Sequence, residues 1–453
     1  MTLPDQFSQH QAVLEPPHPW LMQSNAGSDE WWQRIHEQGA PLIEPSRSPL
    51  CRVTFVWRDS EGCASQSSCQ NVWLCINCLT DHHSMQPPVS LTRLVGTDIW
   101  YRTLVLNAQW CGSYCFIPDD GALGLSVAKG VDPTAAADVR TQQWHALRAW
   151  WRSALPHGQE DPFNAGRRWI SGRGHAASAL HMPDATVAGP WRRWDRGEAL
   201  PDPERAATWW QYHRWQSALL GNTRSVWVMT TGRRRPSHRP LAVLLDGRFW
   251  TQQMPLPGAL IEMTREGQLP EATYLFIDSI DNATRREELT CNPLFWQAVH
   301  EELLPQAQHW ARFDDSPSSA LVAGQSFGGL SALYAGLHWP ERFGKVLAQS
   351  GSFWWPRRDL MLQDALPDDA CWLLRQMEEG LGQQHPLALY IEAGRQEHLI
   401  HHVHGRLLTV LEQQAHQVHY RAREGGHDAL WWRDGLLDGL RWLWRELPHP
   451  PLA

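Results

Sequence analysis

The residues most able to do chemistry lie at Gly324-Gln325-Ser326-Phe327-Gly328, followed by Gly329. The apolar run SALVAG ends at this pentad, and LSALYAGLHWPERF, with helical spacing, begins just after it. Small residues on either side of a serine at a strand-to-helix turn let the chain reverse sharply and push the hydroxyl out at the helix N-terminus, which is the geometry of a nucleophile elbow. A serine hydroxyl needs a base, and the elbow predicts the order Ser, acid, His along the chain. Of the 23 histidines, His427 fits that order, on the loop Glu424-Gly425-Gly426-His427-Asp428 before the amphipathic run ALWWRDGLLDGLRWLW. His401, His402 and His404 read as exposed helix residues rather than a metal cluster.

The orienting acid is expected just beyond the strand LALYIEAG, where Arg395-Gln396-Glu397 forms a loop and places Glu397 to hold the imidazole and stabilise its charged form. Glu392 falls inside that strand and Asp428 adjoins the histidine. A Ser–His dyad without an acid is the remaining alternative. A tetrahedral intermediate requires two N–H donors. One is expected from the backbone of Phe327, the other from the loop after LAVLLD, around Gly247, Arg248 and Phe249.

These residues need a sheet to carry them. After about Thr223, VWVMTTG, PLAVLLDG, ATYLFIDSID, SALVAGQS, FGKVLAQSG and LALYIEAG are buried-strand runs with helical segments between many of them. That alternation predicts an α/β hydrolase domain, a mostly parallel sheet with helices on both faces, over 209–453. Residues 1–28 read as a flexible tail. Over 29–186, CRVTFVWRD, NVWLCINCL, IWYRTLVLN and SYCFIPDD predict a β-sandwich-like N-terminal domain, with a helix over 134–155. Residues 187–208 carry proline and charge without periodicity and read as a linker.

Composition bounds the function. At 453 residues the chain is about three times the ~150-residue prior for one domain. A net charge of −8 excludes a nucleic-acid binder that relies on overall basicity. No run approaches the ~20 apolar residues of a membrane span, and the N-terminus lacks the basic start and apolar core of a signal peptide, so a cytoplasmic location is expected. Lys129 and Lys345 are the only lysines, and the other basic residues are arginine. The 28 tryptophans are expected mainly in cores. Of nine cysteines, seven fall between Cys51 and Cys115. VWLCINCL reads as a strand, which turns Cys75 and Cys78 to opposite faces, so buried free thiols are expected rather than zinc.

The segments VAGQSFGGLSALYAGLHWPERFGKVLAQSGSFWWP, LAVLLDGRFW, IDSIDNATRREELTCN and GGHDALWW resemble the enterochelin (enterobactin) esterases. In the first half, DEWWQ, VTFVWRD, TDHH, GTDIWYRT, GSYCFIP and GRGHAASALHMP resemble that family's N-terminal domain. The resemblance spans nearly the whole chain after the tail. It implies a cytoplasmic serine esterase that cleaves a cyclic triester of 2,3-dihydroxybenzoyl-serine, whose ferric complex is a trianionic tris-catecholate. The family nucleophile falls on Ser326, its histidine on His427 and its acid position on Glu397. It also implies arginines for the catecholates: Arg285, Arg395 and Arg173 are the candidates, since a planar guanidinium both pairs with anionic oxygens and stacks on rings. No cofactor, resident metal, nucleic-acid partner or membrane partner is expected. A second reading is an esterase for acylated polysaccharide with a carbohydrate-binding sandwich, and a third is a non-catalytic siderophore binder.

Overall fold

The computed structural model describes residues 17–124, 129–171, 174–233, 239–362 and 370–448. The chain forms two compact units. Met1–Thr186 and Glu424–Leu430 make the first; Val187–Arg423 and Trp431–Ala453 make the second.

The first unit is built from two four-stranded antiparallel sheets. One runs in the order β1 (Leu42–Glu44), β2 (Leu50–Arg58), β5 (Ile99–Asn107), β4 (Thr92–Arg93). The other runs β3 (Asn71–Ile76), β6 (Cys111–Asp119), β8 (Ala176–His181), β7 (Trp169–Ile170). Side chains two apart along a strand share a face. Val53, Phe55 and Trp57 accordingly pack with Val72, Leu74, Ile76, Tyr114 and Phe116 in one core. The opposite faces are also buried. Val56 meets Trp31, Trp32 and Ile35 of the helix Asp29–Gln38, while Trp73, Cys75, Cys115 and Ile117 meet Leu147, Trp150 and Trp151 of the helix Ala137–Ala154. Burial on both faces is why these strands read as nearly continuous apolar runs rather than alternating ones. The segment expected to be a flexible tail, 1–28, is described only in part. Residues 1–16 lie outside the described residues, but Pro19–Met22 form a 3₁₀ turn with Leu21 buried, and Trp20 accepts the indole N–H of Trp31.

The second unit holds an eight-stranded sheet formed by β9 (Trp209–Ser217), β10 (Asn222–Thr230), β11 (Leu241–Leu244), β12 (Thr273–Ile277), β13 (Leu321–Gln325), β14 (Lys345–Gln349), β15 (Ala388–Gly394) and β16 (Gln417–Arg423). Their order across the sheet is β16-β15-β14-β13-β11-β12-β10-β9. Only β10 runs against its neighbours. Helices cover both faces. Gly336 of the helix Phe327–His338 sits against Val346, and Gly439 of the helix Ala429–Leu443 sits against Leu347, the next residue of β14. Residues 187–208 are not the open linker expected from their prolines and charges. They form the helices Gly189–Asp195 and Pro203–Ala206, and belong to the second unit. Trp191 is fully buried there, and Asp195 takes both guanidinium nitrogens of the buried Arg433. Among the described residues no helix is long and apolar enough to cross a membrane.

Candidate active site

β13 delivers its chain to Ser326 and the helix Phe327–His338 takes it away. Ser326 has φ +59° and ψ −120°, a conformation that costs a non-glycine residue about 1–3 kcal/mol and persists only where its surroundings impose it. They do so here. A Cβ on Gly324 would lie 2.3 Å from the carbonyl oxygen of Gly328, so only glycine permits the reversal. The Ser326 N–H donates to Gln349 O at 3.0 Å, and the Ser352 N–H donates to Ser326 O at 3.0 Å. The Ser326 Oγ lies 3.4 Å from the Ser352 hydroxyl.

Beneath the serine runs a buried amide chain that sequence reasoning missed. Trp250 Nε1 donates to Gln325, Gln325 Nε2 to Gln349, and Gln349 Nε2 to both Glu392 and the Trp432 carbonyl, at 2.9–3.0 Å. The signal was legible as a repeat: two neighbouring strands end in Gln-Ser, and Gln325 and Gln349 are register partners. Ser350, the second of these serines, donates to Glu397 at 2.8 Å and accepts the Trp432 indole N–H at 2.9 Å. Glu397 is buried just past β15, with its Oε2 also accepting the Gly394 N–H at 2.5 Å. Glu392 belongs to the strand, where it accepts Tyr390, Gln349 and Arg423, and so acts as a buried bracket of the sheet.

The expected oxyanion loop follows β11. Asp246 has φ +56°, and a Cβ on Gly247 would strike the β12 backbone at 2.7 Å, so the loop is pressed onto its neighbour strand. Arg248 precedes the π-helical turn Phe249–Gln253, with its side chain on Asp278 at 2.6 Å. Phe327 opens its helix, where backbone N–H groups have no intrahelical acceptor. Arg285, offered by the resemblance for substrate contact, is instead engaged within this framework. Its Nε and one terminal nitrogen each donate to Asp246 at 2.7 Å, and that nitrogen also reaches the carbonyl of Gln325 at 3.2 Å. Burial alone would raise the Asp246 carboxyl, but the Arg285 guanidinium overrides it and holds it below the usual range. Arg285 thus ties the loop after β11 to Gln325, the residue before Ser326.

The histidine loop Glu424–Leu430 packs within the first unit. Asn77 Nδ2 donates to the His427 carbonyl at 2.7 Å, and the His427 N–H meets Cys78 Sγ at 3.3 Å. The His83 ring stands 6.1 Å from that of His427, centroid to centroid. Asp428 is taken up by its neighbours: Oδ2 accepts the Ser113 N–H at 2.8 Å and hydroxyl at 2.5 Å, and Oδ1 accepts the Leu430 N–H at 2.9 Å. Asp428 thus anchors the loop and caps the following helix.

The remaining candidates scatter. Arg395 is exposed beside Glu397, and Arg173 lies outside the described residues. Asp81, His82 and His83 bring ligand atoms within 4.8 Å of one another, yet the Asp81 carboxylate already accepts the N–H groups of Cys78 and His83. All nine cysteines are free thiols, seven of them buried, and Cys63 and Cys69 are partly exposed. His404 is fully buried, not exposed as its helix position suggested, and His401 is half-buried.

A strained serine between a strand and a helix, in a mostly parallel sheet covered on both faces, defines a serine esterase of the α/β-hydrolase class. Residues 52–191 match the family described as "Enterochelin esterase, N-terminal", and residues 193–443 match the family "Putative esterase". The chain is 43% identical over 430 residues to the iron(III) enterobactin esterase of Dickeya dadantii, covering 93% of this chain and 94% of that one. The crystal structure of the ferric enterobactin esterase from Salmonella typhimurium superposes with a TM-score of 0.82 at 41% identity, over 93% of this chain and 99% of that one. That of the Shigella flexneri enzyme in the presence of enterobactin gives 0.78 at 42%, over 93% and 100%. The protein belongs to the enterochelin esterase family.

Proposed function

We propose that this enzyme hydrolyses the serine ester bonds of ferric enterobactin, or of a closely related catecholate siderophore, and so releases iron in the cytoplasm. Ser326 Oγ attacks the ester carbonyl carbon while His427 takes its proton. The N–H groups of Phe327 and Arg248 receive the oxyanion. His427 returns the proton to the departing serine alkoxide, and water then cleaves the acyl-enzyme to a free carboxylate. Glu397 holds the imidazole in its working tautomer and stabilises its charged form. Each cleavage cuts the backbone that gathers three catecholates around one iron. With Arg285 committed to Asp246, Arg395 is the better candidate to meet a catecholate oxygen.

The observation that carries this reading is the strained elbow at Ser326, in a chain matched along 93% of its length to iron(III) enterobactin esterases. The first-half match disfavours a polysaccharide esterase, since it is to an enterochelin esterase N-terminal family. The test is mass-resolved product analysis with ferric and iron-free enterobactin. Linear trimer, dimer and monomer of dihydroxybenzoyl-serine are expected from the wild type. Ser326→Ala, still folded, should lose roughly 10⁴–10⁶-fold in rate. Turnover of feruloyl sugar esters with none of enterobactin would overturn the substrate, and substantial turnover by Ser326→Ala would overturn the mechanism.

A further inference from the structure

The loop that carries His427 contains two consecutive glycines and has no regular structure. Glycine loses more conformational freedom on folding than any other residue, so such a loop does not hold a side chain in place by itself. A base must nevertheless be held closely, because a misplacement of about 1 Å can cost on the order of 10²-fold in rate. The question is what fixes this loop.

Its contacts within the first unit bracket the histidine on both sides. Cys111 N–H donates to the Glu424 carbonyl at 3.0 Å, upstream of His427. Asn77 and Cys78 take the His427 carbonyl and N–H. Ser113 holds Asp428 through two donors, immediately downstream. The fit between is close: a Cβ on Gly426 would lie 2.4 Å from the Asn77 carbonyl oxygen and 2.7 Å from the Cys78 Cβ. Residues 77 and 78 are themselves braced. Cys78 sits at φ +61°, its N–H on Asp81 Oδ1 at 3.1 Å, while Thr80 Oγ1 donates to the Leu74 carbonyl and accepts the Ile76 N–H. Thr80 and Asp81 thus fix the turn that carries Asn77 and Cys78.

We infer that Asn77, Cys78 and Ser113 are positioning residues for His427, and that the first unit therefore contributes to the chemical step itself. The inference rests on the proposed role of His427 as the base. Two residues of the cysteine-rich segment take part: Cys78 meets the His427 N–H through its sulfur, and Cys111 donates its backbone N–H to Glu424.

The test uses the full-length enzyme and a small activated ester, p-nitrophenyl acetate, which is too small to need remote binding surface. Asn77→Ala and Ser113→Ala should lower kcat about 10–10²-fold, with KM within about twofold of wild type. They should slow phosphonylation of Ser326 by a fluorophosphonate to a similar degree, and leave circular dichroism and Tm near those of the wild type. Ser113→Thr, which keeps the hydroxyl, should recover most of the rate. If Asn77→Ala fails to fold, Ser113→Ala carries the test alone, because the Ser113 backbone N–H still reaches Asp428. Wild-type kcat in folded Asn77→Ala or Ser113→Ala, with His427→Ala inactive, would overturn the inference. Full activity in His427→Ala would instead overturn the assignment of the base.

Discussion

The proposed nucleophile and its proposed base are held in place by opposite strategies. The elbow around Ser326 is assembled locally, from glycines within five residues, one strained backbone and amides on the adjoining strands. The histidine loop is an irregular segment with two consecutive glycines. It is secured by Asn77, Cys78 and Ser113, residues more than 300 positions earlier in the chain. A locally built feature is insensitive to distant changes and leaves a compact motif. A feature secured from far away leaves no motif, and ties the competence of one half of the chain to the folding of the other. A fragment of residues 187–453, which keeps the whole of the second unit's first segment, should on this account be impaired on small esters as well as on bulky ones.

The largest effect after loss of the nucleophile or base should come from Glu397, which lies on the locally built side of the comparison. Glu397→Gln keeps the shape but removes the charge that stabilises an imidazolium, and should cost about 10²–10⁴-fold in kcat on any ester. A greater loss from Asp428→Asn than from Glu397→Gln would return the orienting role to Asp428. The histidine loop would then carry its own acid. Little loss from either variant would leave a Ser–His dyad.

This division decides what could be read from the sequence. The strands β2, β3, β5, β6 and β10 to β15 were legible, most of them because burial on both faces makes them apolar runs. The edge strands β9 and β16 were not: WWQYHRWQS and QVHYRAR are partly exposed, and their Gln, His and Arg residues hide the pattern. The segment 187–208 read as a linker because helices of four and seven residues are too short to show periodicity, and the pairing of Asp195 with the buried Arg433 that fixes it spans 238 positions. Ser326 was proposed from its motif and His427 from its place in the chain order. Asn77 and Ser113 were out of reach, because nothing in either position marks a contact with a loop so far away.

Arg285 sharpens the comparison at smaller cost. As a tie between Asp246 and the Gln325 carbonyl it belongs to the elbow, so its loss should damage chemistry rather than capture of the trianionic substrate. Arg285→Lys keeps a charge but loses the planar fork, and should lower kcat about tenfold on both p-nitrophenyl acetate and ferric enterobactin. The salt dependence of ferric enterobactin binding should not change. A loss confined to the ferric substrate, with a reduced salt slope, would move Arg285 back to the substrate.

The smallest effect concerns stability and lies in the second unit alone. His404 is 1% exposed, and neither ring nitrogen has a hydrogen-bond partner among the described residues; Phe353 and Tyr420 lie against it. Burial, helped by the nearby charge of His401, pushes its pKa down to about 3. In the unfolded chain the same group titrates near 6.5. Between those values the unfolded state binds a proton that the folded state refuses. The contribution of the neutral imidazole is therefore complete above about pH 6.5 and is lost progressively as pH falls toward 3. Each pH unit in that window costs at most about 1.4 kcal/mol, so from pH 6.5 to 5 the share of His404 is up to about 2 kcal/mol. For a unit of this size that is roughly 4–8 °C in Tm. His300, lowered to about 4 for the same reason of burial, adds to the acid loss of the wild type, so a single substitution isolates one share of it. His404→Leu removes a polar group with no partner to lose. It should leave Tm at pH 7.5 nearly unchanged and flatten its fall between pH 6.5 and 5. A Tm that falls as steeply in His404→Leu as in wild type would show that this imidazole is not the group whose burial makes the second unit acid-sensitive.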